Sequence, residues 1–169
     1  IEPTPTLPQP MATSHVVVAY LVAENSLSSA LQTDFDEMRE GRDSIPQDAQ
    51  MIIYIDDVRE PRLYRLTTES DTVRLHSWNP DICSTDSLSF CSVLDKVKEF
   101  TPSCERYDLV MGSHATGWIP QTNLYSRTFG VDNNRNVSSS NVGPEMNIST
   151  MRDVLAAQLG HAGYIFFDS

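Results

Sequence analysis

The residue with the clearest chemical potential is His114, two places beyond the apolar run Tyr107-Asp-Leu-Val-Met-Gly112. An imidazole changes charge near neutrality, so one held at the rim of a sheet can give or take a proton in catalysis. Glu24-Asn25, Asp56-Asp57 and Asp168-Ser169 also lie just past apolar runs. Asp56 and Asp57 could hold a divalent cation, as in a receiver-like phosphotransfer domain, or mark only a solvated strand-to-loop junction. The Lys that such a domain uses at another strand end is absent. His15, His76 and His161 fall before a strand, in a hairpin and at a helix end, where nothing calls for chemistry. Cys83, Cys91 and Cys104 are spaced by eight and 13 residues, which matches no zinc template, and read as small, largely buried hydrophobes. An odd count leaves at least one thiol free or paired outside this chain. No phosphate-cradling glycine loop or nucleophile elbow occurs.

The elements that must position these residues alternate along the chain. Val16 to Val22 is β-branched and apolar on both faces, as in a central strand covered on both sides. Asn25 could cap a helix whose Leu27, Leu31, Phe35 and Met38 recur at helical spacing before Gly41. Gln50 to Ile55 predicts a second strand, and Leu63–Leu66 with Thr72–His76 the arms of a hairpin. Asp86 caps a helix with Phe90, Val93, Leu94, Val97 and Phe100 on one stripe, ended by Pro102. Tyr107–Gly112 is a third strand. The Gly, Asn and Ser-rich stretch from Thr116 to Pro144, with one strand-like piece at Thr128–Asp132, reads as a long surface insertion. Ile148, Met151, Val154, Leu155 and Leu159 mark a last helix closed by Gly160, and Gly163–Phe167 a fourth strand. Strand-helix alternation predicts right-handed crossovers and a doubly wound, mostly parallel sheet with helices on both faces, whose crevice lies at the carboxyl ends of the strands.

At 169 residues the chain is one domain's worth: an extended Pro-rich leader over 1–15, then a domain portion over 16–169. The first residue is Ile, which fits an N-terminus left after removal of a signal peptide and hence export. The longest apolar run, eight residues from Val16 to Ala23, is far below the ~20 that span a bilayer. A net charge of −11, with the ten arginines scattered and Lys96 and Lys98 the only lysines, argues against nucleic acid and favours a cationic substrate.

Four groups of residues together resemble the clostripain family of cysteine peptidases, in order and spacing: Tyr20-Leu-Val-Ala-Glu-Asn25-Ser-Leu27-Ser, Asp34-Phe-Asp-Glu37-Met38, Tyr107-Asp-Leu-Val-Met-Gly-Ser-His114-Ala-Thr-Gly117-Trp118 and Tyr164-Ile-Phe-Phe-Asp168-Ser169. The resemblance runs from about Val16 to the last residue and takes in Arg127–Asp132 and the Met146–Leu159 helix. It implies a caspase-like fold, incomplete in this chain, with the catalytic His and Cys after neighbouring strands. The His role falls on His114. The nucleophile falls one place beyond Ser169, because the family closes its last strand as Asp-x-Cys.

The resemblance further implies an endopeptidase cleaving after Arg or Lys, active only with a C-terminal segment or second chain of the same precursor that carries the Cys. Asp168 matches the acidic partner of a basic P1 residue, and the Ala115 N–H an oxyanion donor. The family has Gly where Ala115 stands; the added Cβ is harmless at negative φ and costs on the order of 1 kcal/mol in a left-handed conformation. No catalytic cofactor is implied. Calcium dependence is implied by some relatives, although no carboxylates here have loop-like ligand spacing. The competing expectation is a caspase-like module that has lost activity and serves binding.

Overall fold

The computed structural model describes residues 7–70, 72–115, 128–133, 145–160 and 162–168. Its elements are β1 (His15–Val22), α1 (Ser28–Glu40), β2 (Ala49–Asp56), β3 (Arg62–Leu66), β4 (Val73–Ser77), α2 (Ser87–Phe100), β5 (Arg106–Gly112), β6 (Thr128–Phe129), β7 (Met146–Asn147), α3 (Ile148–Leu159) and β8 (Ile165–Asp168). Six strands form one sheet in the order β4-β3-β2-β1-β5-β8. β1, β2, β5 and β8 are parallel, and the β3–β4 hairpin adds antiparallel to the β2 edge.

Alternation along the strands sorts side chains to two cores. Val16, Val18, Tyr20 and Val22 of β1 join Ile52 and Tyr54 under α2 and α3, whose Phe90, Val93, Leu94, Met151 and Leu155 cover that face. Ala19, Leu21, Ile53 and Ile55 point the other way, onto Leu31 and Phe35 of α1. Helices therefore lie on both faces, as the double-sided apolar strands require. Tyr20 and Tyr54 are fully buried and stacked at 4.6 Å, with Phe90 edge-on to Tyr20. Full burial of a large apolar side chain contributes about 1.5–3 kcal/mol, so this layer anchors the sheet.

Three expectations are corrected. Asn25 is not the cap of α1: the helix starts at Ser28 with Leu27 at the cap position, and the Asn25 amide is used to join loops instead. The Thr128–Asp132 piece is not at the surface. Phe129 is buried against Phe167, and β6 pairs with β7, because an aromatic residue within a polar stretch can still supply core. The leader is not free in solvent throughout, since the Met11 N–H donates to the Phe100 carbonyl and Gln50 and Arg65 donate to the Met11 and Gln9 carbonyls. Residues 116–127, 134–144, His161 and Ser169 lie outside the described residues. Among the described residues, no helix is long and apolar enough to cross a membrane.

Candidate active site

Parallel registers bring the strand ends level: Val22 faces Asp56, Leu21 faces Gly112, and Gly112 faces Asp168. Glu24-Asn25, Asp56-Asp57, Ser113-His114 and Asp168 consequently share one rim. His114 is half-buried, with its Nε2 2.8 Å from the Ser26 hydroxyl. Its carbonyl accepts from the Gly130 N–H at 2.8 Å, where a φ of +82° suits glycine. Ser113 is fully buried and donates its hydroxyl to the Val22 carbonyl at 2.9 Å, fixing the end of β5 to the end of β1. Asn25 completes the brace. Its Nδ2 donates to the Val22 and Val131 carbonyls at 2.8 and 2.7 Å, and its Oδ1 accepts from the Leu27 N–H at 2.8 Å.

Ala115 bridges Phe129 in antiparallel fashion, and the ladder bond there runs from Gly130 to His114, which leaves the Ala115 N–H outside it. Among the described residues only Ser103 is a non-glycine at positive φ, so the Cβ of Ala115 brings no left-handed strain. Asp168 is exposed at the end of β8, and its carbonyl accepts from the Ser113 N–H at 3.2 Å. Partial burial raises the Asp34 carboxyl above its ordinary value, and the charges of Asp168 and Glu37 raise it further. α1 thus places one further acid, Asp34, within electrostatic reach of Asp168.

Asp56 and Asp57 do not act as a pair, because consecutive strand-end residues point to opposite sides. Asp57 receives Arg59 and Arg62 at 2.7 and 2.6 Å. Burial works to raise its carboxyl, but the Arg59 hydrogen bonds and the two guanidinium charges hold it below its ordinary value. Asp56 is fully buried and turns the other way, toward Glu24 and Asp81. One oxygen from each of these three residues lies within 4.8 Å of the others. Burial pushes the Asp56 carboxyl up to about 9, against a lowering hydrogen bond from Ser84 and with further raising by Asp132, Asp81 and Glu24. Ser84 organises the cluster: its N–H donates to Asp132, its hydroxyl to Asp56, and its carbonyl accepts from Tyr20. The receiver-like arrangement of Asp56 with Asp57 is thereby excluded. The cluster that replaces it was hidden in the sequence, since positions 24, 56, 81 and 132 share no local spacing.

The calcium implied by resemblance can be tested against these residues. Asp56 Oδ1 and Asp81 Oδ1 are buried and without a hydrogen-bond partner, and every donor in the cluster is oxygen, which suits a hard cation. All three cysteines are free and partly buried. Burial raises the Cys83 and Cys104 thiols, the opposite of what activates a nucleophile. Cys91 lies in α2, packed against the core. Ser26 was overlooked in the sequence because an exposed serine carries no signal apart from the histidine it meets.

The family model for peptidase C11, the clostripain family, matches residues 19–169. A comparison with curated proteins gives no match. The X-ray structure of a secreted C11 cysteine protease from Bacteroides thetaiotaomicron, in complex with an irreversible peptide inhibitor, is 27% identical with a TM-score of 0.74, over 92% of this chain and 42% of that one. A B. fragilis cysteine protease is 30% identical, TM-score 0.56, over 66% of this chain and 98% of that one. A clostripain from B. thetaiotaomicron ATCC 29148, in complex with the peptide inhibitor BTN-VLTK-AOMK, is 26% identical, TM-score 0.56, over 67% of this chain and all of that one. The chain spans less than half the length of the first of these structures. The mostly parallel sheet with its helices is the caspase-like arrangement of these C11 proteases. A match that runs from the middle of β1 to the last residue, over a fold shared with such proteases, makes this chain a member of the clostripain family.

Proposed function

We propose that this chain forms the histidine-bearing part of an exported cysteine endopeptidase that cleaves after Arg or Lys and uses a Cys–His dyad. The nucleophile belongs to the segment or second chain that follows Ser169. The observation that carries the reading is the pairing of β5 with β8. Gly112 faces Asp168, so β8 ends level with the strand that leads into His114, and a nucleophile following β8 would belong to the same rim.

In this mechanism the Ser26 hydroxyl accepts from Nε2–H of His114 and leaves Nδ1 to take the thiol proton. The thiolate attacks the scissile carbonyl, and the Ala115 N–H and that of the nucleophile itself receive the oxyanion. The peptide C–N bond breaks as His114 returns the proton to the leaving amine, and water, deprotonated by His114, hydrolyses the thioester to release the acid and restore the thiol. Asp168 pairs with the P1 cation, with Asp34 of α1 nearby as a second negative charge. The lysine that ends the VLTK peptide inhibitor of the B. thetaiotaomicron clostripain supports the basic preference. Export is supported by the secreted C11 relative.

The test is cleavage of Arg- and Lys-terminated peptide substrates by the complete protein, beside its His114→Ala variant. General-base loss should lower kcat by about 10²–10⁴-fold. Equal rates, or a residue other than Cys after Ser169 in the precursor, would retire the peptidase and leave the inactive binding module.

A further inference from the structure

We propose that Glu24, Asp56 and Asp81, with Asp132 beside them, form a Ca²⁺ site that locks the segment from Thr128 to Asn133 against the sheet behind His114.

Geometry comes first. Oxygens bound to one Ca²⁺ at about 2.3–2.6 Å lie at most about 5 Å apart, and the Glu24, Asp56 and Asp81 oxygens meet that limit at 4.8 Å. The second observation is the fully buried Asp56 carboxylate. Its Oδ2 accepts from Ser84 while its Oδ1 has no hydrogen-bond partner; Asp81 Oδ1 is a second buried orphan. No Lys, Arg or His among the described residues pairs with Asp56 or Asp81. An orphaned buried carboxylate oxygen is costly, and a multivalent cation removes the cost for several at once. All-oxygen donors from three separate segments suit the large, flexible coordination shell of Ca²⁺ better than the strict octahedron of Mg²⁺.

The cluster is also placed to matter. Asp132 accepts from the Ser84 N–H, and the Asn133 N–H donates to the Glu24 carbonyl at 3.0 Å. Three and two residues before Asn133, the Gly130 N–H holds the His114 carbonyl and the Val131 carbonyl receives Asn25. A cation joining the strand ends to this segment would fix the backbone that orients His114, without touching the reacting atoms. The site stands independently of the peptidase reading, because binding can be measured without turnover.

The experiment uses the complete protein, stripped of metal with a chelator, and follows CaCl₂ binding by calorimetry together with Tm. Ca²⁺ should bind and raise Tm, and Asp56→Asn should weaken binding at least tenfold while folding normally, since the amide fills the same volume without charge. Should Asp56→Asn fail to fold, Asp81→Asn at the half-buried side of the cluster gives the same reading. Amide exchange of Ser84 and Val131–Asn133 should slow on Ca²⁺ addition. No heat and no Tm change at millimolar Ca²⁺, an unaltered response in both variants, or a response to MgCl₂ alone would overturn the proposal.

Discussion

Among the described residues, the imidazole of His114 meets the Ser26 hydroxyl at 2.8 Å. Ser26 is a positioning residue in the proposed mechanism, so its removal should loosen the ring without removing the base. Ser26→Ala is expected to lower kcat roughly tenfold with KM unchanged and to shift the acid limb of the kcat pH profile, with Ser26→Thr restoring both. A purely structural hydroxyl would leave that profile in place. In the proposed mechanism, specificity for a basic P1 residue rests on Asp168. A charge-assisted contact is worth about 1.5–3 kcal/mol, so Asp168→Asn should reduce kcat/KM toward Arg and Lys peptides about 10- to 100-fold. Peptides with a neutral P1 residue serve as the control and should be cleaved at unchanged rates. Both effects belong to single groups at the rim and neither requires the fold to change.

At the level of elements, one carboxylate binds three strands. Asp108 in β5 is fully buried, meets His15 of β1 at 2.6 Å and Arg106 at 3.0 Å, and accepts from the Tyr164 N–H at 2.9 Å where the chain enters β8. Burial works to raise its carboxyl, but the hydrogen bonds from Arg106, His15 and Tyr164 together with the Arg106 charge hold it below its ordinary value. A depressed acid stabilises the folded state above its unfolded value of about 3.9, and that contribution disappears as pH falls through the folded value. Urea unfolding followed with pH should show stability falling below about pH 4, with Asp57, depressed in the same sense, adding to the loss. Asp108→Asn should flatten part of this acid limb and weaken the attachment of β8. An unchanged limb in the variant would remove Asp108 from the account.

At the scale of the whole molecule, β8 is the last strand of the sheet order, and Ile165 and Phe166 on it, with Tyr164 just before it, are exposed. In the proposed enzyme this apolar edge is covered by the segment that carries the nucleophile. The chain of residues 1–169 by itself should therefore bind a hydrophobic dye and self-associate, and co-expression with the following segment should suppress both. Dye binding that persists in the complete protein would show that the face serves something else.

The sequence by itself determined whatever a local pattern can encode. Continuous apolar runs located β1, β2, β5 and β8, helical spacing located α1, α2 and α3, and a strand-end histidine within a characteristic run of residues located His114. The tertiary structure alone decided which polar groups meet. Asn25 looked like a cap and is a brace between three segments; Asp57 looked like half of a metal pair and is an ion-pair acceptor; Phe129 looked exposed and is core. Glu24, Asp56, Asp81 and Asp132 converge from positions far apart in the chain, and no periodicity announces them. The physical reason is one of range. Backbone propensity and apolar alternation act between near neighbours and are written in order along the chain, whereas hydrogen bonds and buried charges are settled only when sheet register brings distant strand ends to the same rim.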